Sequence, residues 1–173
     1  DVALGLCEWL APAAAAIDRR GLSQLVTQAL AAGGNRDLTL RLNGGTSLDV
    51  NNIAGGTVNG PGTLAANTGK VLSGFGTINS IVDFDGDADI VAAGGMLDLN
   101  GNINDVGTLR TSGVAAVLDL PNGFSTNVTD DGILLEGGSV TGGALAVAAA
   151  SKSIRGVGTV FATLDNNGAI EAQ

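Results

Sequence analysis

The sequence predicts an all-β chain, a parallel β-solenoid carrying a short N-terminal helical cap, on three observations. A block of Gly, Thr, β-branched residues and Asx returns without insertion or deletion 82 residues further on. From Leu38 to Gln173, apolar runs of three to five residues alternate with Gly, Asn and Asp, with nothing of helical period between them. Leu-Asp-Leu at 97–99 recurs at 118–120, a step of 21, which makes the longer offset about four coils of roughly 20 residues each.

The long repeat is explicit. Gly74-Phe75-Gly76-Thr77-Ile78, followed by Val82-Asp83 and Asp85-Gly86, returns as Gly156-Val157-Gly158-Thr159-Val160, Leu164-Asp165 and Asn167-Gly168. The same offset carries Gly55-Gly56-Thr57-Val58 onto Gly137-Gly138-Ser139-Val140, and Lys70 onto Lys152. Units that cannot bury an apolar face alone bury a continuous core when stacked, so a sustained repeat of this composition reads as scaffold.

Taken in order, residues 1–36 form a helical cap or docking segment. Leu6, Leu10, Leu22, Leu25, Val26, Ala29 and Leu30 recur at steps of three and four, predicting short helices over 3–16 and 22–31 hinged at Arg19-Arg20-Gly21. Pro12 marks a start or kink of the first helix, and Gly33-Gly34 stops the second. Their roles are to cover the open end of the solenoid or to dock a partner or neighbouring subunit.

Residues 37–173 form the solenoid. Leu38, Leu40 and Leu42 alternate with Thr39 and Arg41 before Asn43-Gly44-Gly45 turns the chain. Short runs follow at Leu48–Val50, Val71-Leu72, Ile81-Val82, Ile90-Val91, Met96–Leu99, Val117–Leu120, Ile133–Leu135 and Leu145–Val147. At about 4.8 Å per coil, residues 46–173 make about six coils, a rod on the order of 30 Å long. The pairs Asp85-Gly86, Asn100-Gly101, Asn122-Gly123, Asp131-Gly132 and Asn167-Gly168 suit corners in left-handed backbone. A sandwich or barrel is the rival, since Asn-Gly also makes hairpins, but hairpin folds do not require an ungapped repeat.

Composition narrows the partners. Hydrophobic residues make up 45% of the chain with four Phe, one Trp and no Tyr, so the core is aliphatic. The net charge is −9, and residues 1–45 balance four bases with four acids, which leaves the deficit in 46–173. That surface repels phosphate backbones and anionic lipid, and it attracts cations. Cys7 is the single cysteine, read as a small buried apolar residue and unable to form an intrachain disulfide. No apolar run reaches the ~18 residues of a membrane span. Leu4–Ala16 lacks the basic start of a signal peptide, which suggests a leader already removed or a larger parent chain.

Chemistry has one sharp candidate, Asp83-Phe84-Asp85-Gly86-Asp87-Ala88-Asp89. Carboxylates at alternate positions of an extended segment project to one side, and their repulsion is relieved by a hard cation, so Asp83, Asp85, Asp87 and Asp89 are the metal candidates and calcium the candidate ion. The competing reading is a solvated acidic turn, since the second copy reads Asp165, Asn167, Ala169, Glu171. Asp49, Asp98 and Asp119, each flanked by apolar residues, belong on the outward face of half-buried strands. With no His there is no Ser-His-Asp or Cys-His arrangement, and no cofactor motif: Gly74-Phe75-Gly76 lacks the strand-then-helix context of a phosphate loop. The Thr residues form no regular Thr-x-Thr ladder of the ice-binding kind.

The pattern Gly-x-Gly-Thr-[Ile/Val], short strand, Asx-Gly, Ile-x-Ala, as in Gly158-Thr159-Val160 through Gly168-Ala169-Ile170-Glu171-Ala172, resembles repeats of bacterial autotransporter passenger domains and related large repetitive surface adhesins. The resemblance covers residues 44–173 and implies a right-handed parallel β-helix outside the bacterial cell with an adhesive or structural role and no enzymatic activity. It leaves a second expectation open, a self-assembling subunit of an extracellular filament or surface layer, in which helices 3–31 dock head to tail on an open coil. A third, a polysaccharide-active β-helix enzyme, has only Lys70, Arg110, Lys152 and Arg155 as bases along the repeat. Expected partners are another copy of the chain or a host or cell-surface ligand, with no nucleic acid and no membrane span.

Overall fold

The computed structural model describes residues 39–41, 46–47, 52–66, 68–84 and 87–173. The helices expected at 3–16 and 22–31, and with them the cap, Cys7, Asp49 and Asp85, lie outside the described residues. What is described is a parallel β-solenoid of about five turns, each coil passing three walls.

The first wall stacks β1 (Thr39–Arg41), the later parts of β3 (Asn52–Asn59), β5 (Val71–Ile78) and β7 (Asp89–Leu99), then β9 (Val117–Leu120) and the later parts of β11 (Thr129–Gly142) and β13 (Ser153–Phe161). The third wall is built from the early parts of β3, β5, β7, β11 and β13, with the later part of β8 (Ile103–Ser112) and β15 (Ala169–Ala172). Between them lies the second wall: β2 (Thr46–Ser47), β4 (Thr63–Ala66), β6 (Ile81–Phe84) and the start of β8, then β10 (Phe124–Ser125), β12 (Leu145–Val147) and β14 (Leu164–Asn166). Every pairing among the described strands is parallel, which removes the hairpin-built sandwich.

Period-two alternation sends one side chain inward and the next out. Inward positions form columns one residue wide. Leu72, Ile90, Leu109, Ile133 and Ile154 stack on the third wall, and Leu97, Leu118 and Val140 on the first, all buried. Phe84 and Phe124 bring bulk from the second wall. Each large side chain removed from water contributes roughly 1.5–3 kcal/mol, and each contacts the coils above and below, so the core runs unbroken along the rod.

The 82-residue offset has a structural meaning. Climbing the third wall from Gly74, the register partners are Ala92, Thr111, Leu135 and Gly156, so the repeat returns to its own column after four coils. On the first wall the climb from Thr77 passes Asp98, Asp119 and Thr141 and arrives at Phe161, two residues beyond Thr159. The drift is absorbed where strands bend from the third wall to the first, at register shifts between Ala54 and Thr57, Gly74 and Gly76, and Glu136 and Ser139. Gly55-Gly56 and Gly137-Gly138 sit at two of these shifts, with Gly55, Gly56 and Gly137 at φ 77°, 112° and 98°. The repeated glycines are therefore corner bulges, placed where only glycine bends the strand without strain.

Two features depart from expectation. No described non-glycine residue has positive φ, so the Asx of the described Asx-Gly pairs is not left-handed; Gly123 and Gly132 take that conformation themselves, at φ 78° and 103°, and Asp131-Gly132 lies inside β11, at another register shift. The second wall is also discontinuous: β2, β4, β6 and β8 stack, β10, β12 and β14 stack, and β8 does not pair with β10. The coil that ends Leu99-Asn100-Gly101 becomes Leu120-Pro121-Asn122-Gly123 one coil later, and a 3-10 turn at Thr126–Val128 follows β10. Pro121 takes the place that Asn100 holds one coil below, where the Asn100 N–H donates to the Ile78 carbonyl; proline has no N–H to make the equivalent bond.

Candidate functional site

Three places on the outer surface hold chemistry. The first is the outward column of the first wall, where Thr57, Thr77, Asp98, Asp119 and Thr141 stand above one another on successive coils. Thr141 Oγ1 donates to Asp119 Oδ1 at 2.6 Å, and Asn100 Nδ2 donates to Asp98 Oδ2 at 3.0 Å. Asp98 Oδ1 is buried with no partner. Burial pushes the Asp98 carboxyl above its ordinary range; the Asn100 amide pulls it back, and the neighbouring Asp119 charge adds to the rise. Asp98 and Asp119 thus take the outward half-buried positions expected of them.

Beside this column runs an asparagine ladder at the corner. Asn79 Nδ2 donates to Asn59 Oδ1 at 2.5 Å, Asn100 Nδ2 to Asn79 Oδ1 at 3.0 Å, and Asn122 Nδ2 to the Asn100 carbonyl at 2.6 Å. An amide both donates and accepts, so stacked Asn can chain indefinitely. Sequence reasoning took Asn100 and Asn122 for turn residues and missed the ladder. Its signal was present as an Asn closing each first-wall strand in Thr-Val-Asn, Thr-Ile-Asn and Leu-Asp-Leu-Asn.

The second place is the acidic run. Asp83 on β6 and Asp87 in the following turn are exposed, and Asp85 lies outside the described residues. Asp89 opens β7 and is committed elsewhere: its Oδ1 accepts the Thr108 N–H at 2.8 Å, and its Oδ2 lies 3.7 Å from Arg110 Nη1. Arg110 also reaches upward, Nη2 donating to Glu136 Oε2 at 2.8 Å. Among the described residues no three of His, Cys, Asp or Glu are gathered as a metal site. Of the four candidate ligands, Asp89 is thus turned to an inter-coil bridge. Lys152 makes a comparable strap, donating to the Thr129 and Asp130 carbonyls.

The third place is the parting of the second wall. Between residues 101–104 and 122–128 lies a groove of about 270 Å³ with Leu99, Ile103, Phe124 and Val128 as its floor and Asn102, Asn104, Asn122 and Ser125 at its rim. Phe124 is buried and the three asparagines are exposed. No charged residue lines it. Nothing in the 82-residue repeat announces this groove; Pro121, standing where the preceding coil has Asn100, was the available signal. Comparison with protein-family models, with curated proteins and with solved structures finds no match to this chain.

Proposed function

We propose that the chain is a non-enzymatic structural and adhesive module of a bacterial surface protein, an extracellular solenoid that works through its outer walls. The carrying observation is the first wall, whose outward column of Thr57, Thr77, Asp98, Asp119 and Thr141, flanked by the asparagine ladder, offers a long polar surface repeated coil by coil. Repetition of this kind suits multivalent, extended contact. The likeness of its repeats to autotransporter passengers and surface adhesins supports the exterior location and a right-handed coil. The test is adhesion of fluorescently labelled protein to bacterial and host cells. Saturable binding competed by unlabelled protein supports the reading; absence of binding to any surface, or turnover of polysaccharide into reducing ends, overturns it.

A second reading, self-assembly into a filament or layer, is favoured by one observation. The uppermost described coil exposes Val157, Phe161, Leu164 and Ile170, and a strand paired on one side only is a template for another. A further coil of the same chain satisfies that edge equally well. Electron microscopy separates the two readings: fibres with a regular axial repeat support assembly, and dispersed short rods support the adhesive module.

A further inference from the structure

We infer that the parting of the second wall is a binding slot for one residue of an uncharged glycan. The inference rests on the adhesive reading and supplies its ligand class. Four observations carry it.

The slot is built by the fold. On the first wall Asp98 pairs directly with Asp119, and on the third Leu109 pairs directly with Ile133, so these two coils are one strand spacing apart on both sides of the groove. Only on the second wall do they separate, β8 pairing with β6 and β10 with β12. An opening of this kind is held by the walls that flank it.

The slot also excludes the other occupant its strand edges suggest. A peptide strand inserted between β8 and β10 needs two spacings, about 9.6 Å, between them. The paired neighbours on the first and third walls hold the coils at about half of that. A β-strand partner is therefore not inserted between them; a ligand lies in the groove over the opening, whose volume of about 270 Å³, just below the ~300 Å³ at which pockets for drug-sized ligands begin, suits a single compact ring.

The lining chooses the chemistry. Asn102 and Asn104 are exposed and their side-chain amides make no hydrogen bond among the described residues, and Asn122 spends one amide hydrogen on the Asn100 carbonyl while its oxygen stays available. An amide presents donor and acceptor together and so matches a hydroxyl, which is both. Ile103 and Phe124 beneath offer an apolar floor to the C–H face of a sugar ring.

The charge pattern completes the assignment. The groove has no charged lining residue in a chain of net charge −9. Anionic sugars meet no cation there, and the surrounding field repels them.

The experiment uses the full chain on a printed array of neutral hexoses, N-acetylhexosamines and their short oligomers, with acidic glycans and extended peptides as comparators. The best neutral glycan is then titrated calorimetrically against the wild type, an N102A/N104A variant, and Ser139→Ala on the first wall. We expect binding of neutral glycans in preference to acidic ones, a loss of affinity of at least about tenfold in N102A/N104A as two hydrogen bonds go, and none in Ser139→Ala. Both altered asparagines are exposed, so matched circular dichroism checks that folding is intact. Neutral-glycan binding that survives N102A/N104A overturns the slot and leaves the adhesive reading standing. Adhesion to cells without binding to any neutral glycan does the same, as does binding confined to peptides. Loss of both cell adhesion and glycan binding removes the two together.

Discussion

Replacing Asp98 by Asn isolates what a stacked pair of carboxylates does to this solenoid. In the wild type Asp98 and Asp119 occupy facing positions on neighbouring coils; Asp98 Oδ1 is buried without a donor and Oδ2 accepts from Asn100. Burial first, and the Asp119 charge after it, raise the Asp98 carboxyl. A carboxyl raised on folding binds its proton more tightly in the native state, so stability falls as pH rises from the unfolded value of 3.8 through the native one. Above the native value the penalty is present in full; below the unfolded value it is gone.

Asn removes the charge, keeps an oxygen for the Asn100 amide, and can turn its own amide toward Asp119. Facing like charges cost roughly 0.2–1 kcal/mol. Because the Asp98 side chain is only half-buried, solvent screening holds the electrostatic gain below what a dry pair would give. We therefore expect D98N to be more stable by about 0.5–1 kcal/mol at pH 7, a rise in Tm of roughly 1–4 °C. The assay is thermal melting followed by circular dichroism at pH 7 and again at pH 3.5, where the advantage shrinks toward zero. A variant that melts at or below the wild type at pH 7, or whose advantage persists unchanged in acid, refutes the reasoning.

Other perturbations follow from the same packing. Leu118→Ala empties a fully buried position on the first wall and should cost about 2–5 kcal/mol in denaturant unfolding. Gly156→Ala sets a Cβ 2.1 Å from the Leu135 carbonyl oxygen at φ +113°, so a destabilisation of about 2 kcal/mol or more is expected in the same assay. Glu136→Gln removes one arm of the Arg110 bridge, which is partly exposed; the loss should stay under about 1 kcal/mol and diminish in high salt. Millimolar calcium should leave the melting temperature of the wild type unchanged, because Asp89 is held by Arg110 and the Thr108 amide. A rise of several degrees would show instead that the acidic run closes around a cation.

Much of the architecture could be read from residue order alone, because a solenoid writes its coil length into its sequence. Leu-Asp-Leu placed Leu97 and Leu118 in one inward column and Asp98 and Asp119 in the outward one. The 82-residue offset returned Gly74 to Gly156 on the third wall. What one-dimensional reading could not supply was the side-chain pairing between coils. Asn79 looks like a turn residue until Asn59 and Asn100 stand beneath and above it. Asp89 looks like a cation ligand until Arg110, 21 residues on, is brought to its side. At the groove Pro121 stands where the coil below has Asn100, so the side-chain ladder stops there and Asn122 reaches the Asn100 backbone carbonyl instead.

The most direct test of the account is the coil register itself. Facing residues on adjacent parallel strands lie about 4.8 Å apart, within the Cα separation a disulfide accepts, about 4.4–6.8 Å, whereas residues two coils apart lie about 9.6 Å away and cannot be bridged. In a Cys7→Ser background, Asp98→Cys with Asp119→Cys should oxidise to an intramolecular disulfide in the native protein, and Asp98→Cys with Thr141→Cys should not. A bridge in the second pair, or none in the first, would contradict the stacked parallel coils on which every other claim depends.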